Sequence, residues 1–290
     1  MRISMDIFGV LTMIGGLALF LYGMHVMGDG LAKTSGGKLE QILEKFTSSP
    51  MRAVLLGAGV TAVIQSSSAT TVMVVGFVNS GIMKLNQAVG IIMGANIGTT
   101  VTAWIISTLG FKVDIAVFAL PILAFAIPLF FSNKSSRKSV GEFIFGFSFL
   151  FMGLSNLKTY APDLGANPDM LAFVQNLTDM GFISILLFLL IGAVLTMIIQ
   201  SSSATMAITL IMCTNGWIDY HLGAALVLGE NIGTTVTANL AALTGNTQAR
   251  RAALAHLMFN IFGVIWVLIL FYPCLLYTSP SPRDGRLSRM

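Results

Sequence analysis

The feature that most constrains this chain is an internal repeat. Shifted by 135 residues, the segment 57–103 aligns without a gap on 192–238, and 20 of the 47 aligned positions are identical. Each copy contains QSSSAT followed by NIGTTVTA, at 65–70 and 96–103 in the first copy and at 200–205 and 231–238 in the second. LFLYGM at 19–24 also resembles FLFMGL at 149–154, which places a leading helix before each copy. The repeat predicts two structurally equivalent units.

The composition places both units in a lipid bilayer. Hydrophobic residues make up 55% of the 290 residues and charged residues 10%, whereas soluble domains carry about 25% charged residues. The apolar residues fall in long runs, which is typical of membrane-spanning helices. The Lys and Arg behind the net charge of +4 are scattered, without the clustered stripe that nucleic-acid binding needs. We therefore predict an all-α polytopic membrane protein that does not bind nucleic acid.

The two QSSS segments interrupt long apolar stretches at 52–83 and 183–213. The residues from Ala53 to Ile64 before the first QSSS would rise only about 18 Å as a helix, short of the ~30 Å hydrocarbon core. We predict a re-entrant helical hairpin with a QSSS tip in each unit; a single tilted crossing is the alternative. Before residue 274, hairpins place ten Lys and Arg on one side and three on the other, whereas single crossings give eight and five. Because basic residues accumulate on the cytoplasmic side, this bias favours hairpins.

The hairpin topology also orients the chain. Its basic side is the cytoplasm, so the N-terminus lies outside. Three full crossings, at 7–27, 88–109 and 113–131, separate the units and give them inverted topology, as in many secondary transporters. We divide the chain into a first transport repeat at 1–131, a cytoplasmic basic loop at 132–139, a second transport repeat at 140–272 and a tail at 273–290 that we expect to be non-native or disordered.

The repeated motifs consist of side chains that can bind small ions. A hairpin tip adds the free N–H groups of a helix N-terminus to serine hydroxyls and a glutamine amide, which favours an anion. Hydroxyl and carbonyl oxygens also suit sodium, and Gly98 and Gly233 predict a discontinuous helix with free carbonyls at each NIGTT. The candidate substrate- and ion-binding residues are Gln65, Ser66, Ser67, Ser68, Asn96, Thr99, Thr100, Gln200, Ser201, Ser202, Ser203, Glu230, Asn231, Thr234 and Thr235.

Two kinds of candidate have an alternative role. Glu230 is the one carboxylate inside a repeated motif, and its counterpart in the first unit is Ala95. A carboxylate at membrane depth biases a cation site or takes a proton, and the alternative is pairing with another side chain for packing. Serine and threonine hydroxyls in membrane helices also bond to carbonyls three or four residues back, so packing is the alternative for individual serines of each triplet.

At these residues the sequence resembles the sodium/phosphate cotransporter family, the type II group and its bacterial relatives. The resemblance covers about 5–272 and rests on the paired QSSS motifs, GANIGTT at 94–100, GENIGTT at 229–235 and ARRAALAHLMFN at 249–260. It implies sodium-coupled symport of inorganic phosphate between the two tips, in a multi-pass protein of the bacterial inner membrane. It also implies that sodium is the coupling ion, bound through Gln200, Ser201, Thr234 and Thr235, and that the protein has no cofactor and is not an enzyme.

The chain departs from that family at its end. The bacterial relatives continue with at least one further helix and a cytoplasmic regulatory domain, whereas here the tail CLLYTSPSPRDGRLSRM follows soon after Tyr272. We therefore expect a truncated reading frame, with the regulatory domain missing from this chain. The oligomeric state is left open, with a homo-oligomer among the alternatives.

Other functions compete with phosphate symport. One is transport or export of another small anion on the same scaffold, with phosphate export included. A serine hydrolase using Ser67 or Ser202 with His256 is disfavoured, because a nucleophile is needed once and the motif is duplicated. A purely structural scaffold is disfavoured by two polar hairpins within the membrane.

Overall fold

The computed structural model describes residues 7–34, 49–112, 115–161, 174 and 176–271. These residues form helices and contain no strand, which confirms the all-α prediction. The helices with defined bounds are α1 (Ile7–Thr34), α2 (Pro50–Ile64), α3 (Ser67–Asn79), α4 (Leu85–Ile105), α5 (Ala116–Phe130), α6 (Ser135–Tyr160), α7 (Phe182–Ile199), α8 (Ser202–Thr214), α9 (Tyr220–Gly233), α10 (Thr235–Ala242) and α11 (Thr247–Trp266). Short π-helical segments extend α4 over Ile106–Lys112 and α11 over Val267–Phe271. The predicted tail at 273–290 lies outside the described residues.

Within the described residues, five helical segments are long and apolar enough to cross a membrane: Ile7–Thr34, Leu85–Phe111, Ser135–Tyr160, Phe182–Ile199 and Thr247–Leu270. Three helices that flank the QSSS segments, α2, α3 and α8, are apolar but have only 15, 13 and 13 residues. At 1.5 Å per residue they rise about 20 to 23 Å. α5 is also short, with 15 residues inside the full crossing predicted at 113–131.

The basic loop is shorter than predicted. α6 begins at Ser135, so residues 135–139 of the predicted loop at 132–139 are helical. The backbone N–H groups of Arg137 and Lys138 donate to the Lys134 carbonyl, each at 3.0 Å, and start the helix outside the apolar run. Polar residues continue a helix beyond the apolar run because the helix supplies their backbone hydrogen bonds, so hydropathy alone places the boundary too late.

The leading helices α1 and α6 pack antiparallel along a line of glycines. Glycines recur every seven residues, at Gly16, Gly23 and Gly30 in α1 and at Gly146 and Gly153 in α6. A Cβ atom on Gly23 would lie 2.3 Å from a backbone nitrogen of α6, and one on Gly146 would lie 2.2 Å from a backbone nitrogen of α1. Small residues allow this close backbone approach between membrane helices. The glycine line therefore fixes α1 against α6.

Within each unit, the helix before the QSSS segment packs on the helix that carries NIGTT, α2 on α4 and α7 on α9. A Cβ atom on Gly57 would lie 2.0 Å from the Ile91 carbonyl oxygen, and one on the equivalent Gly192 would lie 2.1 Å from the Leu226 carbonyl oxygen. The equivalent Gly94 and Gly229 approach carbonyls of α2 and α7 just as closely. The two units therefore share one internal packing scheme.

An asparagine pair joins the end of α3 to the start of α11. The Asn246 backbone N–H donates to Asn79 Oδ1 at 2.8 Å, and Asn246 Nδ2 donates to the Asn79 carbonyl at 2.9 Å. Asn246 Oδ1 in turn caps α11 by accepting from the Ala249 N–H at 2.9 Å. This link connects the first unit to the last described helix of the second.

Candidate functional site: two helix breaks around one cavity

Each QSSS segment breaks its helix at the glutamine, as the sequence predicts. Gln65 has φ 59° and ψ 24°, and Gln200 has φ 58° and ψ 23°, so both glutamines adopt the left-handed conformation. They are the two non-glycine residues with positive φ in the described part of the chain. This conformation costs a non-glycine residue about 1 to 2 kcal/mol. Its occurrence at the same position of both units indicates that the tip geometry is built in twice.

The first serine of each triplet caps the helix that follows. Ser66 Oγ accepts from the Ala69 N–H at 3.2 Å, and Ser201 Oγ accepts from the Ala204 N–H at 3.3 Å. A capping side chain satisfies one of the first-turn N–H groups that have no carbonyl partner within their own helix. The remaining first-turn donors of α3 and α8 leave each tip rich in hydrogen-bond donors.

A buried threonine pair closes each break. Thr61 Oγ1 donates to Thr70 Oγ1 at 3.0 Å in the first unit, and Thr196 Oγ1 donates to Thr205 Oγ1 at 2.9 Å in the second. These bonds hold the two helices on either side of the break together.

Both breaks line one cavity of about 390 Å³, which we call the tip cavity. All eight QSSS residues line it: Gln65, Ser66, Ser67, Ser68, Gln200, Ser201, Ser202 and Ser203. The fold thus brings together two segments that lie 135 residues apart in the sequence. Two helix N-termini directed at a common cavity favour a small anion, because each contributes free N–H donors and the positive end of a helix dipole.

The tip cavity also contains two residues that the sequence reasoning missed. His25 and Asp29 of α1 line it, and His25 Nε2 lies 3.7 Å from Asp29 Oδ2. The side chains are 72% and 50% exposed. The sequence does contain a signal for this pair. The two ionisable residues are four apart near the end of an apolar run, and this spacing places both on one face of the helix.

The NIGTT segments lie elsewhere. Five of their predicted residues line a second cavity of about 560 Å³, which we call the NIGTT cavity: Asn96, Thr99, Thr100, Glu230 and Asn231. Glu230 is 1% exposed, and its Oε2 has no hydrogen-bond partner among the described residues. A buried, unpaired carboxylate is costly unless it is neutralised by a cation or a proton.

The prediction of a discontinuous helix at NIGTT is wrong in the first unit. α4 runs without interruption from Leu85 to Ile105, through Gly98. In the second unit α9 and α10 are separated only by Thr234, whose φ of −59° and ψ of −26° are still helical. The glycines serve close packing instead: a Cβ atom on Gly98 would lie 2.6 Å from the Ala58 carbonyl, and one on Gly233 would lie 2.5 Å from the Ala193 carbonyl.

The predicted sodium ligands are divided by the fold. Gln200 and Ser201 line the tip cavity, whereas Thr234 and Thr235 line neither the tip cavity nor the NIGTT cavity. Thr234 Oγ1 donates to the Glu230 carbonyl at 3.0 Å, and Thr235 Oγ1 donates to the Ile232 carbonyl at 2.7 Å. The Glu230 and Ile232 carbonyl oxygens therefore already accept hydrogen bonds from these two hydroxyls.

Asn96 connects the first NIGTT segment to α11. Its Nδ2 donates to Asn260 Oδ1 at 2.7 Å, and its Oδ1 lies 3.3 Å from His256 Nε2. His256 and Asn260 are 1% and 4% exposed. His256 does not line the cavity that contains Ser67 and Ser202, so the arrangement needed for a serine hydrolase is not formed.

Apolar helices long enough to cross a membrane, with two broken helices around a polar cavity, define the class of polytopic transport proteins. Residues 19–159 and 165–277 match the sequence profile of the family described as Na+/Pi-cotransporter. The chain belongs to this family, which confirms the resemblance noted from the motifs; the family is one of transporters, not enzymes.

Three relatives illustrate the range of the family. The uncharacterized protein YqeW of Bacillus subtilis is 34% identical over 255 residues, covering 87% of this chain and 79% of YqeW. The "Putative inorganic phosphate export protein YjbB" of Salmonella typhimurium is 30% identical over 267 residues, covering 91% of this chain and 47% of YjbB. The sodium-dependent phosphate transport protein 2A of Rattus norvegicus is 34% identical over 109 residues, 37% of this chain and 17% of that protein.

The chain spans about half the length of YjbB and a larger share of YqeW. No solved structure matches the chain at a significant level.

Proposed function

We propose that this protein transports inorganic phosphate across a membrane and that the anion binds in the tip cavity. The observation that carries the proposal is that both QSSS breaks line one cavity. Serine hydroxyls and first-turn N–H groups of α3 and α8 supply donors from two directions, which suits a tetrahedral oxyanion. Relatives named for phosphate export and for sodium-dependent phosphate transport support the same substrate.

We propose that the two units, 1–131 and 140–272, are inverted repeats with re-entrant hairpins at α2–α3 and α7–α8. The short arms α2, α3 and α8 support hairpins, whereas α7, with 18 residues, is long enough to cross; the basic residues support a cytoplasmic loop and an external N-terminus. In this arrangement the protein lies in a bacterial inner membrane. Each hairpin would approach the midplane from its own side, so that the tip cavity opens to one side at a time.

We propose sodium as the coupling ion. Two regions supply oxygens for it: the tip with Gln200 and Ser201, and the second NIGTT segment with Glu230, Thr234 and Thr235. Glu230 supports cation binding most directly, because its Oε2 is buried without a described partner in the NIGTT cavity. A sodium ion bound beside Glu230 would neutralise the carboxylate. It would also lower the electrostatic free energy needed to bind a phosphate anion in the same protein.

Uptake of radiolabelled phosphate into proteoliposomes, with and without an inward sodium gradient, tests this function. We expect uptake that depends on the gradient and falls at least about tenfold in Ser67→Ala and Ser202→Ala, because each loses a donor to a charged ligand. Ser80→Ala, at the opposite end of α3, is the matched control and should transport normally. If uptake by the unaltered protein does not respond to sodium, the proposal of sodium coupling is wrong. If both tip variants take up phosphate normally, the tips do not take part in transport.

Export is the second candidate, favoured by the name of the relative YjbB. Proteoliposomes loaded with labelled phosphate distinguish the two directions. Efflux that exceeds uptake under matched sodium gradients would assign the protein to export, and the reverse would assign it to uptake.

A further inference from the structure

α1 brings two ionisable side chains, His25 and Asp29, to the tip cavity. Among the described residues that line this cavity, Asp29 is the only carboxylate. Its other polar side chains are hydroxyls, amides and one imidazole. A carboxylate is an unexpected neighbour for an anion, because it repels negative charge and accepts hydrogen bonds without donating any.

The position of Asp29 is fixed by packing. The preceding residue, Gly28, packs so tightly on the end of α2 that an added Cβ atom would lie 2.4 Å from the Ile64 carbonyl oxygen. Ile64 is the last residue before the left-handed Gln65. α1 is also fixed to α6 along the glycine line. Asp29 is therefore held beside the first tip by backbone contacts and not by a flexible loop.

His25 lies beside this carboxylate. It lies one helical turn before Asp29, and its Nε2 is 3.7 Å from Asp29 Oδ2. This contact is made through Oδ2, the charge of Asp29 also acts on Lys33 one turn further along α1, and the Asp29 side chain is 50% exposed. The cavity therefore contains a negatively charged acceptor, in addition to the neutral Oε1 of Gln200, that a ligand with a hydroxyl group could reach.

We propose that Asp29, positioned by His25, selects protonated phosphate over sulfate by accepting a hydrogen bond from a P–OH group. This inference rests on the proposed function. At neutral pH inorganic phosphate retains at least one P–OH group, whereas sulfate has none. Helix N-termini and serine hydroxyls donate equally well to either tetrahedral anion, so they do not distinguish the two. Facing sulfate, the carboxylate has no proton to accept and meets an oxygen of like charge, so sulfate binding is disfavoured.

Competition by sulfate against radiolabelled phosphate uptake tests the inference in proteoliposomes. We expect Asp29→Asn to raise the potency of sulfate as an inhibitor at least about tenfold, because its amide can donate to an oxygen of sulfate. Arsenate, which also retains a hydroxyl at neutral pH, is the internal control and should gain no comparable potency. Asp179→Asn is the matched control: this exposed aspartate precedes α7, does not line the tip cavity, and should leave sulfate inhibition unchanged.

His25 is tested as a positioning residue by the same readout. His25→Ala should raise sulfate inhibition less than Asp29→Asn does, and His25→Gln, which keeps a donor, should preserve selectivity. If His25→Ala and the unaltered protein select phosphate over sulfate equally well, His25 does not position Asp29.

The results separate this inference from the proposed function. If the unaltered protein neither binds nor transports phosphate, the proposed function fails. If it transports phosphate and Asp29→Asn rejects sulfate as strongly as the unaltered protein, only the selectivity proposal fails. If Asp29→Asn transports nothing, competition between sulfate and bound phosphate is measured on the detergent-solubilised protein. Asp29→Glu that still binds phosphate and rejects sulfate supports the proposal. Loss of phosphate binding in both Asp29→Asn and Asp29→Glu overturns it.

Discussion

The two tips have the same backbone but different side-chain surroundings. Thr102 Oγ1 donates to Gln65 Oε1 at 2.9 Å, and Gln65 is 5% exposed. The equivalent threonine, Thr237, donates instead to the Thr234 carbonyl at 2.8 Å. Gln200 is exposed, its Nε2 donates to the Met197 carbonyl, and its Oε1 has no partner among the residues that the structure describes. The side-chain oxygen of the first glutamine is therefore anchored in the protein, whereas that of the second is available to a ligand.

The NIGTT segments differ in the same sense. The first contains Ala95, which is fully buried, where the second contains Glu230. Duplication thus supplies two equivalent backbones, and the charge and the free glutamine oxygen are both placed in the second unit. Structural equivalence of the two units therefore does not imply that they have equal roles.

The largest expected effect concerns packing, in which the units should be equal. Gly57→Ala and Gly192→Ala each place a Cβ atom about 2 Å from a carbonyl oxygen, so each should destabilise the protein by about 3 kcal/mol. Thermal unfolding in detergent measures this. Gly59→Ala is the control, because nothing lies within 4 Å of its Cβ position. Unequal losses at the two sites would contradict the equivalence.

The tips should differ in transport. Replacing either glutamine with glycine keeps the left-handed backbone without its steric cost and removes only the side chain. Gln200→Gly should lower sodium-dependent phosphate uptake at least about tenfold, since it removes a side-chain oxygen that is free to bind the coupling sodium ion. Gln65→Gly should cause a smaller loss, because its carbonyl oxygen is already occupied by Thr102. A larger loss at Gln65 would reverse the assignment of roles.

Thr102→Val should make the first tip resemble the second. The substitution leaves the buried Gln65 Oε1 without its donor, and we expect a loss of stability of up to about 1.7 kcal/mol, the upper range for such bonds between membrane helices. Thr237→Val is the matched control, which leaves both glutamines untouched. If thermal unfolding shows equal losses of stability for the two variants, the hydrogen bond from Thr102 to Gln65 does not stabilise the protein.

The smallest effect is expected for the threonine pairs. Thr61→Val and Thr196→Val each remove one buried side-chain hydrogen bond, so each should cost about 0.6 kcal/mol. The two losses should agree in thermal unfolding. A loss in only one variant would show that one break is closed by other contacts.

Parts of this architecture were predictable because they depend on local sequence. Four consecutive polar residues within an apolar run have few ways to remain in a membrane, so the helix breaks at Gln65 and Gln200 followed from the pattern. The same reasoning failed at Gly98, because glycine permits both unwinding and close packing. The choice between them depends on Ala58 on a neighbouring helix, which no local pattern reveals.

The site was only partly predictable for a related reason. The repeat directed attention to residues that occur twice, whereas His25 and Asp29 lie in a helix outside the aligned segment and have no counterpart there. Their place at the tip cavity follows from the packing of Gly28 on Ile64, a contact between distant parts of the chain. The separation of the NIGTT residues from the tips likewise arises from tertiary packing.

The Asn79–Asn246 link has a mechanical consequence. Because Asn246 both holds the end of α3 and caps α11, a displacement of α3 along its axis would pull on the N-terminus of α11. α11 carries His256 and Asn260, which bind Asn96 at the NIGTT cavity. The asparagine pair would therefore transmit a movement of α3 to the contacts that His256 and Asn260 make with Asn96 at the NIGTT cavity.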